Sequence, residues 1–224
     1  MSRVNPNEEI ATTASREIRN SLKASIGWEH AFFGDYKTSV SAFYYGRDGL
    51  PYTWLINGDL NGDGIFQDPA YIPMVNDPNV SYGSATPDQI AAFHEFISND
   101  PYLQANRGQI AGRNETRLPW VNQVDLGIQQ ELPGFFQEHK SIIRLDIYNF
   151  LNMLNSDWGV TEEIGGFDSR YLARLGGITE DGGYVYQIVN QDGDPQWQDL
   201  RPYEGRVPRV VSRWSVLATF RYEF

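Results

Sequence analysis

Residues 207–224 read VPRVVSRWSVLATFRYEF and close the chain. From Trp214 onward one alternate set is Trp214, Val216, Ala218, Phe220, Tyr222 and Phe224; the other is Ser215, Leu217, Thr219, Arg221 and Glu223. A period of two, apolar on one face and mostly polar on the other, is the pattern of a strand between two unlike environments. A soluble domain seldom ends on an uncapped strand with a final Phe, because termini fray and an exposed aromatic gains nothing from water. In a transmembrane barrel the apolar set faces lipid, the polar set faces the lumen, and the last aromatics sit in the interfacial girdle. The stretch predicts an all-β chain built as part of an antiparallel transmembrane β-barrel, with a soluble β-sandwich as the alternative.

Working outward, residues 140–150 place Ile143, Leu145 and Ile147 on one face and Arg144, Asp146 and Tyr148 on the other. Residues 118–131 set Trp120, Val124, Leu126 and Ile128 against Gln123, Asp125, Gln129 and Glu131, with Asn122 interrupting the apolar set. Leu132-Pro133-Gly134 opens the short connection between these two strands. Residues 15–30 alternate Ile18, Leu22, Ala24, Ile26 and Trp28 against Arg19, Ser21, Lys23, Ser25 and Glu29, with Asn20 the polar intruder on the apolar face. Residues 31–36, AFFGDY, read as a tight turn on their Gly-Asp pair, and residues 37–47 as the return strand.

Two long excursions separate these strands. Residues 48–116 are rich in Gly, Pro, Asn and Asp and show no convincing strand. Within them Thr86-Pro87-Asp88-Gln89 is a capping signal, followed by Ile90, Phe93 and Ile97 at helical spacing. It predicts one short loop helix over residues 86–98. Residues 151–206 form the second excursion, with a strand expected at 184–189. Counting along the chain puts both long loops at one end of the strands and both short turns at the other, as an outer-membrane barrel requires. Five strands cannot close, since closure with side-chain filling begins at about eight. The expectation is therefore a part of a larger barrel with long extracellular loops.

Composition narrows the alternatives. With Lys plus Arg at 18 and Asp plus Glu at 29, the chain carries −11 and lacks the basic face that nucleic acid requires. It has no cysteine, which excludes disulfides and thiolate metal sites. No apolar run approaches the ~20 residues of a membrane-spanning helix. A mean hydropathy of −0.47 does not argue against a barrel, whose lipid-facing residues are only every second one. The first residues, MSRVNPNEEIATTASREIRN, have neither an apolar core nor a cleavage pattern, so if the protein is outer-membrane, the start of the gene product, with its signal peptide, is expected upstream of this chain.

The order of Gly58-Asp59-Leu60-Asn61-Gly62-Asp63-Gly64, Tyr71-Ile72-Pro73, Arg113-Asn114, Pro119-Trp120, Val124-Asp125-Leu126, Asn149-Phe150-Leu151-Asn152 and the aromatic terminus resembles the C-terminal barrel of TonB-dependent outer-membrane receptors. Within that family it is most similar to the Oar-like branch, whose members often carry a carboxypeptidase-regulatory-like domain ahead of the plug. The resemblance spans the chain from about Ser15 onward. It implies a barrel of about 22 strands filled by an N-terminal plug, located in the cell outer membrane of a Gram-negative bacterium. Active uptake of a siderophore, oligosaccharide or peptide would draw on energy relayed by the TonB complex. The plug domain, which carries the TonB contact, is not in this sequence. The terminal set Phe220, Tyr222 and Phe224 resembles the insertion signal read by the outer-membrane assembly machinery. Expected partners are thus outer-membrane lipid, that machinery and TonB; a passive porin is the reading if no plug is encoded upstream.

Candidate sites are few. Asp59-x-Asn61-x-Asp63-Gly64 matches the first half of a calcium loop, but position twelve is Ala70 where a bidentate Glu is needed. Asp68 could replace it, making Asp59, Asn61, Asp63 and Asp68 the candidate calcium ligands; the alternative is a turn cluster that needs no ion. His30, His94 and His139 lie in separate segments and read as surface histidines. The polar set Gln123, Asp125, Gln129, Arg144, Asp146, Arg213 and Arg221 reads as an ion-paired lumen lining. The loop aromatics Trp54, Phe66, Tyr71, Tyr102 and Trp197 could stack on sugars or peptides, or pack the loops together. No Gly-x-Ser-x-Gly elbow, His-Glu-x-x-His or phosphate loop occurs, so an enzyme reading has no residue to rest on.

Overall fold

The computed structural model describes residues 11–64, 66–164, 169–197, 199–202 and 212–224. Residues 1–10 of the N-terminal stretch and 207–211 of the terminal one lie outside the described residues. In chain order the elements are β1 (Ser21–Phe33), β2 (Tyr36–Arg47), β3 (Pro51–Asn57), β4 (Asp68–Pro69), β5 (Val80–Ser81), α1 (Pro87–Asn99), α2 (Pro101–Ala105), β6 (Thr116–Arg117), β7 (Val121–Pro133), β8 (Lys140–Tyr148), α3 (Phe150–Leu154), β9 (Glu162–Glu163), β10 (Ser169–Ile178), β11 (Tyr184–Gln187), β12 (Arg201–Pro202) and β13 (Ser215–Glu223). The protein is mostly β and divides into two units, one of residues 1–17, 50–118 and 164–200, the other of 18–49, 119–163 and 201–224.

The second unit is built on a five-stranded antiparallel sheet in the order β1-β2-β7-β8-β13. These are the strands that the period-two pattern marks, paired as a meander. The sheet is not closed: among the described residues no strand pairs the outer edge of β1 or β13. Its register aligns the apolar sets of all five strands. Ile26 opposes Ala42, Ala42 opposes Leu126, Leu126 opposes Ile147, and Ile147 opposes Val216. Trp28, Val40, Ile128, Leu145 and Ala218 form the next row on the same face. Ser25, Phe43 and Asp125, then Gly27, Ser41, Gly127 and Asp146, line the opposite face.

Boundaries move where side chains find other partners. Residue 15 does not begin the first strand. Asn20, expected on its apolar face, precedes β1 and donates its backbone N–H and its amide to Asp48 Oδ2 at 2.7 and 2.9 Å, while Asp48 N–H donates to Asn20 O at 3.0 Å. That reciprocal pair fixes the start of β1 beside the end of β2. The turn shortens to Gly34-Asp35, since Phe33 already pairs with Tyr36. Strand β8 stops because Asn149 takes a left-handed φ of +52°. Its N–H donates to Asp125 Oδ1 at 2.8 Å and its amide to Gly159 O at 2.9 Å. Asn152 donates to the carbonyls of Ser156 and Trp158 and accepts from Trp214 N–H, so the Asn149-to-Asn152 motif ties the chain after β8 to the start of β13.

The excursion over residues 48–116 is not strandless. Every residue of β3 but its last is buried, because its run YTWLI, apolar except for Thr53, packs on both faces. It pairs in parallel with β10, and β10 pairs antiparallel with β11. The resulting mixed sheet, β4-β3-β10-β11-β5, carries a core of Trp54, Ile56, Ile72, Phe93, Ile97, Leu103, Leu172, Tyr186 and Ile188. Helix α1 supplies Phe93 and Ile97, and its capping box is complete: Thr86 Oγ1 accepts from Gln89 N–H, and Gln89 Oε1 accepts from Thr86 N–H. The single expected helix is accompanied by the five-residue helices α2 and α3.

Phe93 is fully buried and its ring lies 5.7 Å from that of Trp197. Truncation to Ala is expected to lower the unfolding free energy of this unit by about 3–5 kcal/mol, measured in denaturant by tryptophan fluorescence. A loss under about 1 kcal/mol would contradict this core assignment.

Candidate functional sites

The sheet of five strands leaves its apolar face open. Ile26 is 73% exposed, Phe220 64%, and Leu22, Trp28, Val40, Ile128, Ile143 and Val216 are likewise exposed. Strands β8 and β13 have 9 residues and β1, β2 and β7 12 or 13, each long enough for the ≈9–11 residues of a tilted membrane strand. Exposed aromatics gather near the short turns: Phe32, Phe33, Phe135, Phe136, Phe220 and Phe224. Of the terminal set, Phe220 continues the apolar face beside Ile143, whereas Tyr222 is anchored. Its hydroxyl accepts from Phe135 N–H at 3.2 Å and lies 2.8 Å from His139 Nδ1. Trp120 and Trp214 are exposed near the other strand ends.

On the polar face Arg144 donates to both oxygens of Asp146 at 2.7–2.9 Å, and Arg221 pairs with Glu223. Asp125 accepts from the backbone of Asn149. On this face these charged groups are paired with one another or with backbone.

The Asp59 loop comes together as a network of N–H donors. Asp59 Oδ1 accepts from Gly62 at 2.7 Å and Asp63 at 3.2 Å, and Oδ2 from Gly64 at 2.8 Å. Gly62 and Gly64 supply left-handed φ of +77° and +82°, which a side chain would resist. Asn61 Oδ1 accepts from Asp63 N–H, and Asp68 Oδ2 from Leu60 and Asn61 N–H. Among the described residues no three His, Asp or Glu are arranged to hold a metal, and a cation here would compete with these donors. The N–H of Gly64, joined by those of Gly62 and Asp63, holds the Asp59 carboxyl below its ordinary value, whereas burial pushes Asp68 up. In a carboxyl NMR titration Asp59 is expected below, and Asp68 above, the ordinary Asp value of about 3.9. The loop's support from Asp59 is thus present at neutral pH and lost as pH falls through its depressed value. The reverse order of the two titrations would refute the network.

His94 is not a surface histidine. Arg107, which has only donors, contacts His94 Nδ1 at 3.1 Å, so the ring proton sits on Nε2 and goes to the Tyr82 hydroxyl at 3.0 Å. Arg107 also donates to Pro73 O, His94 O and Ser98 Oγ. Burial, with the Arg107 charge, pushes the His94 pKa down. The unfolded chain takes the proton near pH 6.5 and the folded chain only lower, so this stabilisation is complete above about 6.5 and lost as pH falls below it. Unfolding midpoints of this unit are expected to drop from pH 7.5 to 5.5, with a shallower drop in His94→Gln; equal slopes would contradict the network.

Four of the five loop aromatics serve packing. Trp54 is fully buried against Phe96, and Trp197 meets Phe93 and Phe96. Tyr71 donates to Asp77, and Tyr102 donates to Glu115 while accepting from Gly112 N–H. Phe66 alone is largely exposed. A feature that sequence patterning missed is a cleft of about 520 Å³ in this unit, lined by Tyr82, Ser84, Arg174, Gln187, Gln191 and Gln196 among others. The amide-rich run QIVNQDGDPQ at residues 187–196 was its only sequence signal. No family model, curated protein or solved structure matches the chain.

Proposed function

We propose that the chain is the C-terminal barrel segment of a TonB-dependent outer-membrane receptor that takes up a small substrate. One observation carries this reading: apolar residues from five strands fall in register on one exposed face, opposite a polar, ion-paired face. Water penalises such a face, while lipid welcomes it. The free edges of β1 and β13 join further strands of the same barrel, since an unpaired backbone group in hydrocarbon costs several kcal/mol. Both short turns lie at one end of the meander, the periplasmic one in this reading, and both long excursions leave from the other, extracellular, end. The amphipathic terminal strand with Phe220, Tyr222 and Phe224 is the segment presented to the assembly machinery.

Arg placed at Val216 or Ile26, which share one apolar row, is expected to cost about 2–4 kcal/mol near the bilayer midplane. Arg at Thr219, on the lumen side, should cost far less. The readout is the amount of heat-modifiable protein in outer-membrane fractions of the intact receptor. Equal levels for all three variants, or a monodisperse product made without detergent, would sink the reading.

A further inference from the structure

We infer that the cleft beside β10 and β11 binds a small organic carboxylate that carries neighbouring hydroxyl or amide groups. Its volume, about 520 Å³, lies in the range of small-ligand sites. Arg174 and Gln187 face each other across the β10–β11 ladder, and directly opposed residues rise on the same side of a sheet. The next pair, Leu175 and Tyr186, turns the other way, with Tyr186 fully buried in the core. Guanidinium and amide thus stand side by side, both exposed to solvent, along the cleft lining.

The chemistry of the lining selects the ligand. Among the described residues the Arg174 guanidinium has neither a hydrogen bond nor an ion pair, and the side chains of Ser84, Gln187, Gln191 and Gln196 are likewise without partners. Among the described residues no Asp or Glu lines the cleft, although the chain holds 29 of them against 18 Lys and Arg. In so acidic a chain an unpaired guanidinium in a cleft free of carboxylates is an anion receptor. Its planar fork fits a carboxylate with two parallel hydrogen bonds. A single cation balances a monoanion and leaves a phosphate dianion half neutralised. The amides and the hydroxyl both donate and accept, matching hydroxyl or amide groups beside the carboxylate. Gly176 leaves room for Gln187: a Cβ there would meet Gln187 Cγ at 3.1 Å and Nε2 at 3.3 Å. The inference concerns the globular unit and does not rest on how the five-stranded sheet is used.

Two sources share this chemistry, a uronate sugar and the C-terminus of a short peptide. The test is calorimetric titration of the full chain in a detergent micelle with digalacturonate, with N-acetyl-dialanine, and with the methyl ester of each. Saturable binding of at least one acid is expected, with its ester weaker by about tenfold or more; which acid binds identifies the source. Arg174→Gln is expected to weaken the acid by about tenfold or more. Because Arg174 has no partner to lose among the described residues, its unfolding midpoint should stay that of the parent. Should that variant misfold, Gln196→Ala, expected to weaken the acid severalfold, takes its place. Neither acid binding, ester binding equal to acid, unchanged affinity in a folded Arg174→Gln, or tighter binding of inorganic phosphate than of both acids would each overturn the assignment.

Discussion

The second unit depends on backbone register. In a sheet a slip of one residue moves every side chain to the other face, so the alignment of Ile26, Ala42, Leu126, Ile147 and Val216 in one row has to be fixed at each of four interfaces. Two of those interfaces are set by short connections, at Gly34-Asp35 and between Pro133 and Lys140. The other two join strands separated by long excursions: Asn152 acts at one, β8–β13, and Asn122, accepting from the Tyr44 hydroxyl, at the other, β2–β7, while further Asn and Asp contacts hold the open ends of the two hairpins. Asn20 with Asp48 locks the open end of β1 and β2. Asp125 receives the N–H of Asn149 where β8 leaves the sheet, and Asn152 receives that of Trp214 where β13 enters. Short polar side chains at strand ends thus preserve a face made of Ile, Leu, Val, Ala and Trp.

The globular unit is organised by the opposite constraint, burial on both sides of a strand. Trp54 and Leu172 are fully buried, and Arg170 lies among them with its guanidinium 4.3 Å from the Trp54 ring and within 6 Å of those of Tyr52 and Phe96. A buried cation is tolerated only when paired. Arg170 has Asp100 at 3.9 Å, Asp199 at 3.6 Å and the Tyr52 hydroxyl at 3.2 Å. Asp100 also caps α2 through the N–H groups of Tyr102 and Leu103. One carboxylate therefore couples a helix start to the charge balance of the core.

What the sequence made legible follows from period. The long strands alternate, because their two faces meet different surroundings, and each could be placed within a few residues. Helix α1 was legible through its cap and the spacing of Phe93 and Ile97. Strands β3 and β10 were not, since YTWLI and SRYLARLGGI are buried on both faces or broken by glycine and leave no alternation. The loop of Asp59 was legible as a cluster, but whether its carboxylates turn outward to an ion or inward to N–H groups is a question of backbone conformation. The cleft at Arg174 joins residues about a hundred positions apart in sequence, and the Tyr82–His94–Arg107 network joins residues 12 and 13 apart off any helical or strand period, so no spacing rule reports contacts of either kind.

The chain order shows why those segments escape. Strand β3 comes from the first excursion and its parallel partner β10 from the second, while β5 of the first pairs with β11 of the second. Each excursion supplies only part of the sheet, β3 with β4 from the first and β10 with β11 from the second, so each reads as a loop taken singly. The parallel pair also spans the strands β7 and β8 in sequence, so it forms only after a long loop closes, at an entropic cost that grows slowly with length. That cost is offset by residues buried on both faces, Trp54, Leu55 and Ile56 from β3 with Leu172 and Ala173 from β10. Contacts of such sequence separation fold late relative to hairpins. The hairpins β1-β2 and β7-β8, each closed by a short connection, can therefore be paired before the globular unit is complete.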